Sequence, residues 1–422
     1  MNKISFSLLI LLFAAKLYAQ AAPPKYVQAA AQFKKFYNGN RPDSIFNQFS
    51  PEMKVALPED KFTTSTAQLK TQLGSLLKTE FYKFDAPLAV YKATFQNAVV
   101  LLNISLNDKD QYTGLLLSPY QDAAKEDPAI VESPVLLKTL SSTISGTLAI
   151  PKTATGKVPV VLIIPAAGSI DRDGNGGNIT ANDYKLLAIA LGKNGVASLR
   201  YDKRRVGQTT TPAKEADMLF DDYFDDAFAL IEMLNTDKRF SKLIILGHGQ
   251  GSLVGMIASV DERVNAFISV EGTALTADKV LTDQINRTYP AHIAEGFKAV
   301  LDSLRRGKIN THVDAALYPV ARPSLQRYIM SWCRFDPQAE IKKLKKPILI
   351  IQGSTDLEVD QTSAEKLKKS KTNTLAIIPG MNYVLKEAPA DKDKNMATYT
   401  NPDLPLKPEL VTTIVDFINK LP

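Results

Sequence analysis

The run Leu243-Ile244-Ile245-Leu246 is four branched apolar residues in succession, and it feeds directly into Gly247-His248-Gly249-Gln250-Gly251-Ser252. A buried strand entering such a turn and leaving as the apolar helix Leu253 to Ala258 has the form of a nucleophile elbow. In that motif, G-x-S-x-G, a serine is lifted on the turn so that its hydroxyl attacks a carbonyl while the next backbone N–H stabilises the oxyanion. Here the middle residue is Gly249, which has no attacking atom.

Other side chains offer little to replace it. Ser252 stands three positions further on, inside the helix, where its hydroxyl points away from the oxyanion position. His248 reads as a packing histidine, and His292 and His312 fall in a region patterned as a surface-lying helical insertion. With three histidines and one cysteine, Cys333, the chain cannot assemble a Cys-rich zinc site, and neither a metal nor a cofactor is expected. Asp171-x-Asp173-x-Asn175-Gly176 copies the first half of a calcium loop, but the position for the bidentate glutamate is Asn182, so calcium is not expected either.

The elements that position these residues follow from periodicity. Tyr26, Ala30, Phe33, Phe36 and Tyr37, then Leu69, Leu73, Leu76 and Leu77, repeat at helical spacing. Alternation takes over at Phe81 to Phe84, Ala89 to Phe95, Ala98 to Leu106 and Tyr112 to Leu117, which predicts consecutive antiparallel strands in a small α+β domain over 26–119. A polar connection over 120–128 leads into 129–422, where apolar strand-like runs alternate with helical ones. That alternation predicts an α/β architecture with a mostly parallel sheet. Its predicted strands are Gly146 to Ile150, Val158 to Ile164, Val196 to Leu199, Lys242 to Leu246, Ala266 to Val270, Pro347 to Ile351 and Leu375 to Ile378. One connection, about 273–332, is oversized and helical, as a lid above a site would be.

Several further segments stand in a telling order: Gly146-Thr147-Leu148-Ala149-Ile150-Pro151, Ser169-Ile170-Asp171-Arg172-Asp173-Gly174-Asn175, Arg200-Tyr201-Asp202-Lys203-Arg204, Gln352-Gly353-Ser354-Thr355-Asp356 and Gly380-Met381-Asn382-Tyr383. With the elbow they make Gly146 to Pro422 similar to a bacterial α/β-hydrolase of the secreted esterase or acyl-hydrolase type. The preceding domain resembles the nuclear-transport-factor-like cone found ahead of some such hydrolases, on its pattern and on Phe46 to Lys54. The resemblance implies an α/β-hydrolase fold and a triad in the order Ser, Asp, His. It places the nucleophile at Gly249, the acid at Asp356 and the base at Tyr383, so nucleophile and base are replaced. A phenol of reference pKa near 10 cannot take a serine proton as an imidazole near 6.5 does. The resemblance also assigns oxyanion donors to the N–H groups of Gln250 and of the loop around Ala167, although Ala166-Ala167-Gly168 departs from the usual Gly-Ser-Gly.

These readings imply a protein disabled as a serine hydrolase that acts by binding a small apolar or acyl-containing ligand or as a scaffold. The alternative is a weak carboxylic-ester hydrolase in which Asp356 or Tyr383 positions water. Asp356 itself is expected to accept a hydrogen bond from Tyr383 or from nearby backbone, to face water, or simply to cap its loop.

Met1-Asn2-Lys3, the apolar stretch Ile4 to Ala15 and Leu17-Tyr18-Ala19 have the layout of a signal peptide over 1–19, which points to a periplasmic or secreted protein with no stable membrane insertion after cleavage. Losing Lys3 and Lys16 lowers the formal charge from +7 to +5. That excess is modest, and the lysine-rich runs near 342–346 and 366–371 lack interleaved aromatics, so no nucleic-acid partner is expected.

Overall fold

The computed structural model describes residues 22–120, 127–369 and 373–422. The expected leader at 1–19 and positions 121–126 of the connection lie outside the described residues. The chain divides into two compact units between Lys125 and Glu126.

The first unit opens with helices α1 (Pro24–Asn38), α2 (Pro42–Phe46), α3 (Pro51–Ala56) and α4 (Glu59–Leu73). Strands β1 (Leu76–Asp85), β2 (Leu88–Phe95), β3 (Val99–Leu106) and β4 (Tyr112–Pro119) then form an antiparallel meander in chain order. Helix α1 buries Tyr26, Ala29, Ala30, Phe33 and Tyr37, a single stripe at three- and four-residue spacing. That stripe packs with Phe49, Phe62, Leu102, Ile104 and Tyr112 into one core, and Tyr112 Oη donates to the Ala29 carbonyl at 2.8 Å. The helical reading of Leu76 and Leu77 is corrected: α4 stops at Leu73, Gly74 closes it by donating its N–H to the Lys70 carbonyl, and both leucines belong to β1.

The second unit is built on an eight-stranded sheet. Its strands are β5 (Ile130–Lys138), β6 (Thr143–Pro151), β7 (Val158–Ile164), β10 (Ala197–Tyr201), β11 (Phe240–His248), β12 (Ala266–Val270), β13 (Ile348–Gly353) and β14 (Asn373–Ile378), while β8 (Asn175–Gly176) and β9 (Ile179–Thr180) form a separate short ladder. The order is β14-β13-β12-β11-β7-β10-β6-β5, parallel from β14 to β10 and antiparallel in the last two pairings. Both faces are covered. Leu162 and Ile245 point into one core, whereas Ile163 and Ile244 point into the other. This explains why these strands read as unbroken apolar runs.

Strand β5 is absent from the sequence expectations because Pro134 interrupts it. Proline removes a ladder donor, and β5 accommodates it by lying at the sheet edge.

Helices α5 (Asp183–Lys193), α6 (Asp222–Thr236), α7 (Gln250–Ala258), α12 (Pro337–Lys342), α13 (Gln361–Leu367), α14 (Lys392–Ala397) and α15 (Pro408–Asn419) complete the layers. Between β12 and β13 the chain leaves the sheet through α8 (Ala277–Thr288), α9 (Ala291–Arg305), α10 (Tyr318–Ala321) and α11 (Gln326–Trp332). This insertion is anchored by Phe297, Val300 and Leu301 of α9, all buried in the core on that side. Gln326, with no exposed surface, ties it together by donating to the Asn310 and Ala321 carbonyls and accepting from the Asn310 N–H.

The calcium-like segment is tied together by its own hydrogen bonds. Asp171 Oδ1 accepts the N–H groups of Asp173 and Asn175, and Asp173 accepts from Arg200 Nε at 2.9 Å. Among the described residues, no group of three or more His, Cys, Asp or Glu is placed to hold a metal ion, and no helix is long and apolar enough to cross a membrane.

Candidate functional site

Strand β11 delivers Gly249 to the carboxyl edge of the sheet at φ 52°, ψ −118°, a conformation costly for a residue with a Cβ. The flanking glycines are dictated by contact. A Cβ on Gly251 would lie 2.3 Å from the Ile164 carbonyl oxygen, so strand β7 and helix α7 approach this closely only without side chains. The decisive distance is at Gly249 itself. A Cβ there would lie 2.3 Å from Tyr383 Oη and 3.4 Å from the Ala166 Cβ. The phenol therefore occupies the space in which a side chain at position 249 would begin.

His248 sits behind this pair, 1% exposed, its ring 4.6 Å from that of Tyr383. Tyr184 Oη accepts the Ala166 N–H at 2.9 Å and lies 2.7 Å from His248 Nδ1. Tyr184 Oη and His248 Nδ1 thus share one hydrogen bond, whose donor is set by the histidine tautomer. Nε2 reaches toward the Tyr383 backbone without closing a hydrogen bond. Burial pushes His248 down to about 4, so it is a neutral imidazole built into the wall. Ser252 Oγ is paired with Ser269 Oγ at 2.7 Å and is fully buried, as expected for a structural hydroxyl. His292 and His312 are exposed on the insertion.

Asp356 follows β13. Its Oδ1 accepts the N–H groups of Glu358 (2.7 Å) and Val359 (3.2 Å), and its Oδ2 accepts from Gln352 Nε2 at 3.1 Å. It caps its own loop, and none of its hydrogen bonds comes from Tyr383. Behind it lies Glu271, fully buried at φ 50° just beyond β12, with Oε1 accepting the Gly353 N–H at 2.8 Å. Among the described residues, Glu271 Oε2 receives no N–H or O–H donor. Burial, reinforced by the Asp356 carboxyl, holds Glu271 far above the usual carboxyl range. Burial also raises Asp356 itself. Tyr383 is raised well above 10 by burial, with the Asp356 and Glu358 charges adding to it, and stays a neutral phenol.

The amide groups assigned as oxyanion donors, those of Ala167 and Gln250, engage no acceptor among the described residues, and both residues border a cleft of about 810 Å³. Lys203, 3% exposed, donates to the Ala166 carbonyl and so steadies the loop that presents one of them. Burial brings this lysine down to about 7. The cleft is floored by Gly249 and Tyr383, walled by Asp356 and Glu358, and roofed by Leu275, Val280 and Trp332 of the insertion. The three triad positions named from sequence thus meet at one cavity.

The chain is similar to several known proteins. A family model described as "Serine aminopeptidase, S33" matches residues 175–311, and one described as "Protein of unknown function (DUF3887)" matches residues 30–115. Esterase EstD of Thermotoga maritima is 22% identical over 349 residues, spanning 80% of this chain and 82% of its own. The second unit has the α/β-hydrolase fold. Among solved structures, Est1E from Butyrivibrio proteoclasticus is 18% identical, covering 68% of this chain and 99% of its own at a TM-score of 0.47. Hypothetical protein PA2218 from Pseudomonas aeruginosa is 15% identical, covering 70% and 95% at 0.49.

Within this α/β-hydrolase unit, the residues that sequence reasoning missed are Glu271, Glu358, Tyr184 and Tyr399. One signal for Glu271 was available: it directly follows a parallel strand, and in open α/β sheets the site gathers beyond the carboxyl ends of the strands.

Proposed function

We propose that this esterase-like α/β-hydrolase-fold protein is silent as a serine hydrolase and works by holding a small apolar or acyl-containing ligand in the cleft beneath its helical lid. The observation that carries the reading is the 2.3 Å between a Cβ at position 249 and Tyr383 Oη. The attacking atom is missing, and its place is filled by a group that cannot act as the base. The two amide donors and the apolar roof support retained binding of a carbonyl compound. The leader-like start supports export to the periplasm or beyond. The α-helix-backed antiparallel meander of the first unit supports a cone-like companion domain.

The test is turnover of short- and medium-chain p-nitrophenyl esters by the parent and by the Gly249→Ser/Tyr383→His double variant. The expected outcome is a parent rate at least about 10³-fold below that of active relatives, and no labelling by a fluorophosphonate probe. Parent turnover matching an active relative would refute the reading. A weak esterase reading draws support from Asp356, a cleft-lining carboxyl of raised pKa that can orient water. It requires the residual rate to vanish in Asp356→Asn while probe labelling stays negative.

A further inference from the structure

The cleft wall carries a strong charge asymmetry. Asp283, Asp356, Glu358 and Asp360 line it against Arg287, and the Arg287 guanidinium is already turned to main chain, donating to the Leu357 carbonyl at 3.2 Å and the Asp283 carbonyl at 3.4 Å. Three aromatic rings, Trp332, Tyr383 and Tyr399, face the same space. An independent feature also points to a ligand: Tyr399, 3% exposed, lines the cleft, yet its hydroxyl has no hydrogen-bond partner among the described residues. A buried phenol oxygen without a partner is costly unless something completes it. Fixed carboxylates and aromatic faces together are the surroundings that an organic ammonium group seeks.

We propose that the ligand is an acylated organic cation, its ammonium group held by the Asp356 and Glu358 carboxylates and the rings of Tyr383 and Tyr399, and its carbonyl turned to the Ala167 and Gln250 amides. This rests on the ligand-binding reading above and specifies its ligand class.

The assignment carries a proton signature. The carboxyls of Asp356 and Glu358 are both raised, mainly by burial. The groups facing them are Glu271 beyond β12, Arg287 of α8, Lys392 of α14, and the phenols of Tyr383 and Tyr399. A cation placed here favours the ionised carboxyls, so binding expels the protons they hold, and affinity falls as the pH drops.

The test is titration calorimetry on the full chain with hexanoylcholine and with 3,3-dimethylbutyl hexanoate, which replaces the charged nitrogen by carbon at nearly the same shape. The cation should bind at least about tenfold more tightly than its neutral counterpart. It should also release protons, seen as a heat that depends on the buffer. Glu358→Gln, which removes one of the two carboxylates and spares the loop cap, should cut the preference several-fold. Equal binding of the two esters overturns the cation assignment and leaves the ligand-binding reading intact. Failure of both to bind overturns both.

Discussion

Gly249 and Tyr383 are a coupled pair, because the phenol of one stands where a side chain of the other would grow. Gly249→Ser alone is expected to cost about 1–3 kcal/mol from overlap, added to the backbone strain of a positive φ. In a Tyr383→His background the overlap part should disappear. A double-mutant cycle read by chemical denaturation should therefore return a coupling of about 1–2 kcal/mol. His248 makes a second prediction at this scale. Its folded value near 4 lies below the ordinary 6.5, so the unfolded chain binds the extra proton first as pH falls. Its contribution is intact above pH 6.5 and is lost progressively down to pH 4, to a total of about 3 kcal/mol. Glu271 is shifted the opposite way and favours the folded state at acidic pH, so the comparison must be with His248→Asn. That variant should show a flatter decline of denaturation midpoint between pH 6.5 and 4.

Among the elements, the helical insertion owes its position to α9. Phe297 is buried in the core shared by the insertion and the sheet, and Phe297→Ala should lower stability by about 3–5 kcal/mol. Hydrogen exchange should show the loss concentrated over α8 to α11, with the sheet strands still protected. The strands were readable because β7, β11 and β12 are buried on both faces, which leaves an unbroken apolar signature. Strand β5 was not, because Pro134 is admitted by its edge position, and a single sequence does not reveal which strand ends up at an edge. The site was half readable for a similar reason. The elbow is a local pattern, and Asp356 follows a readable strand. Glu271 acquires its role from the Gly353 N–H, 82 residues away, and that encounter exists only after the sheet has formed. Of the readings open for Asp356, the loop cap is the one realised: nearby backbone donors at Glu358 and Val359 satisfy it.

For the whole molecule, each unit encloses its own core, and all cleft-lining residues, from Ala167 to Tyr399, belong to the second. A chain beginning at Asp127 is therefore expected to fold alone and to bind a cleft ligand within about threefold of the full chain. Circular dichroism melting and calorimetry check this directly. A larger loss of affinity would give the first unit a part in binding.

The meeting of phenol and glycine also determines what directed evolution will find here. Introducing a hydroxyl at position 249 first produces a collision, whereas trimming the ring first leaves a hole with nothing to activate. Each single replacement is thus a step downhill in fitness. Screening one-position libraries for ester turnover should come back empty, and only paired randomisation of the two sites crosses the gap between them.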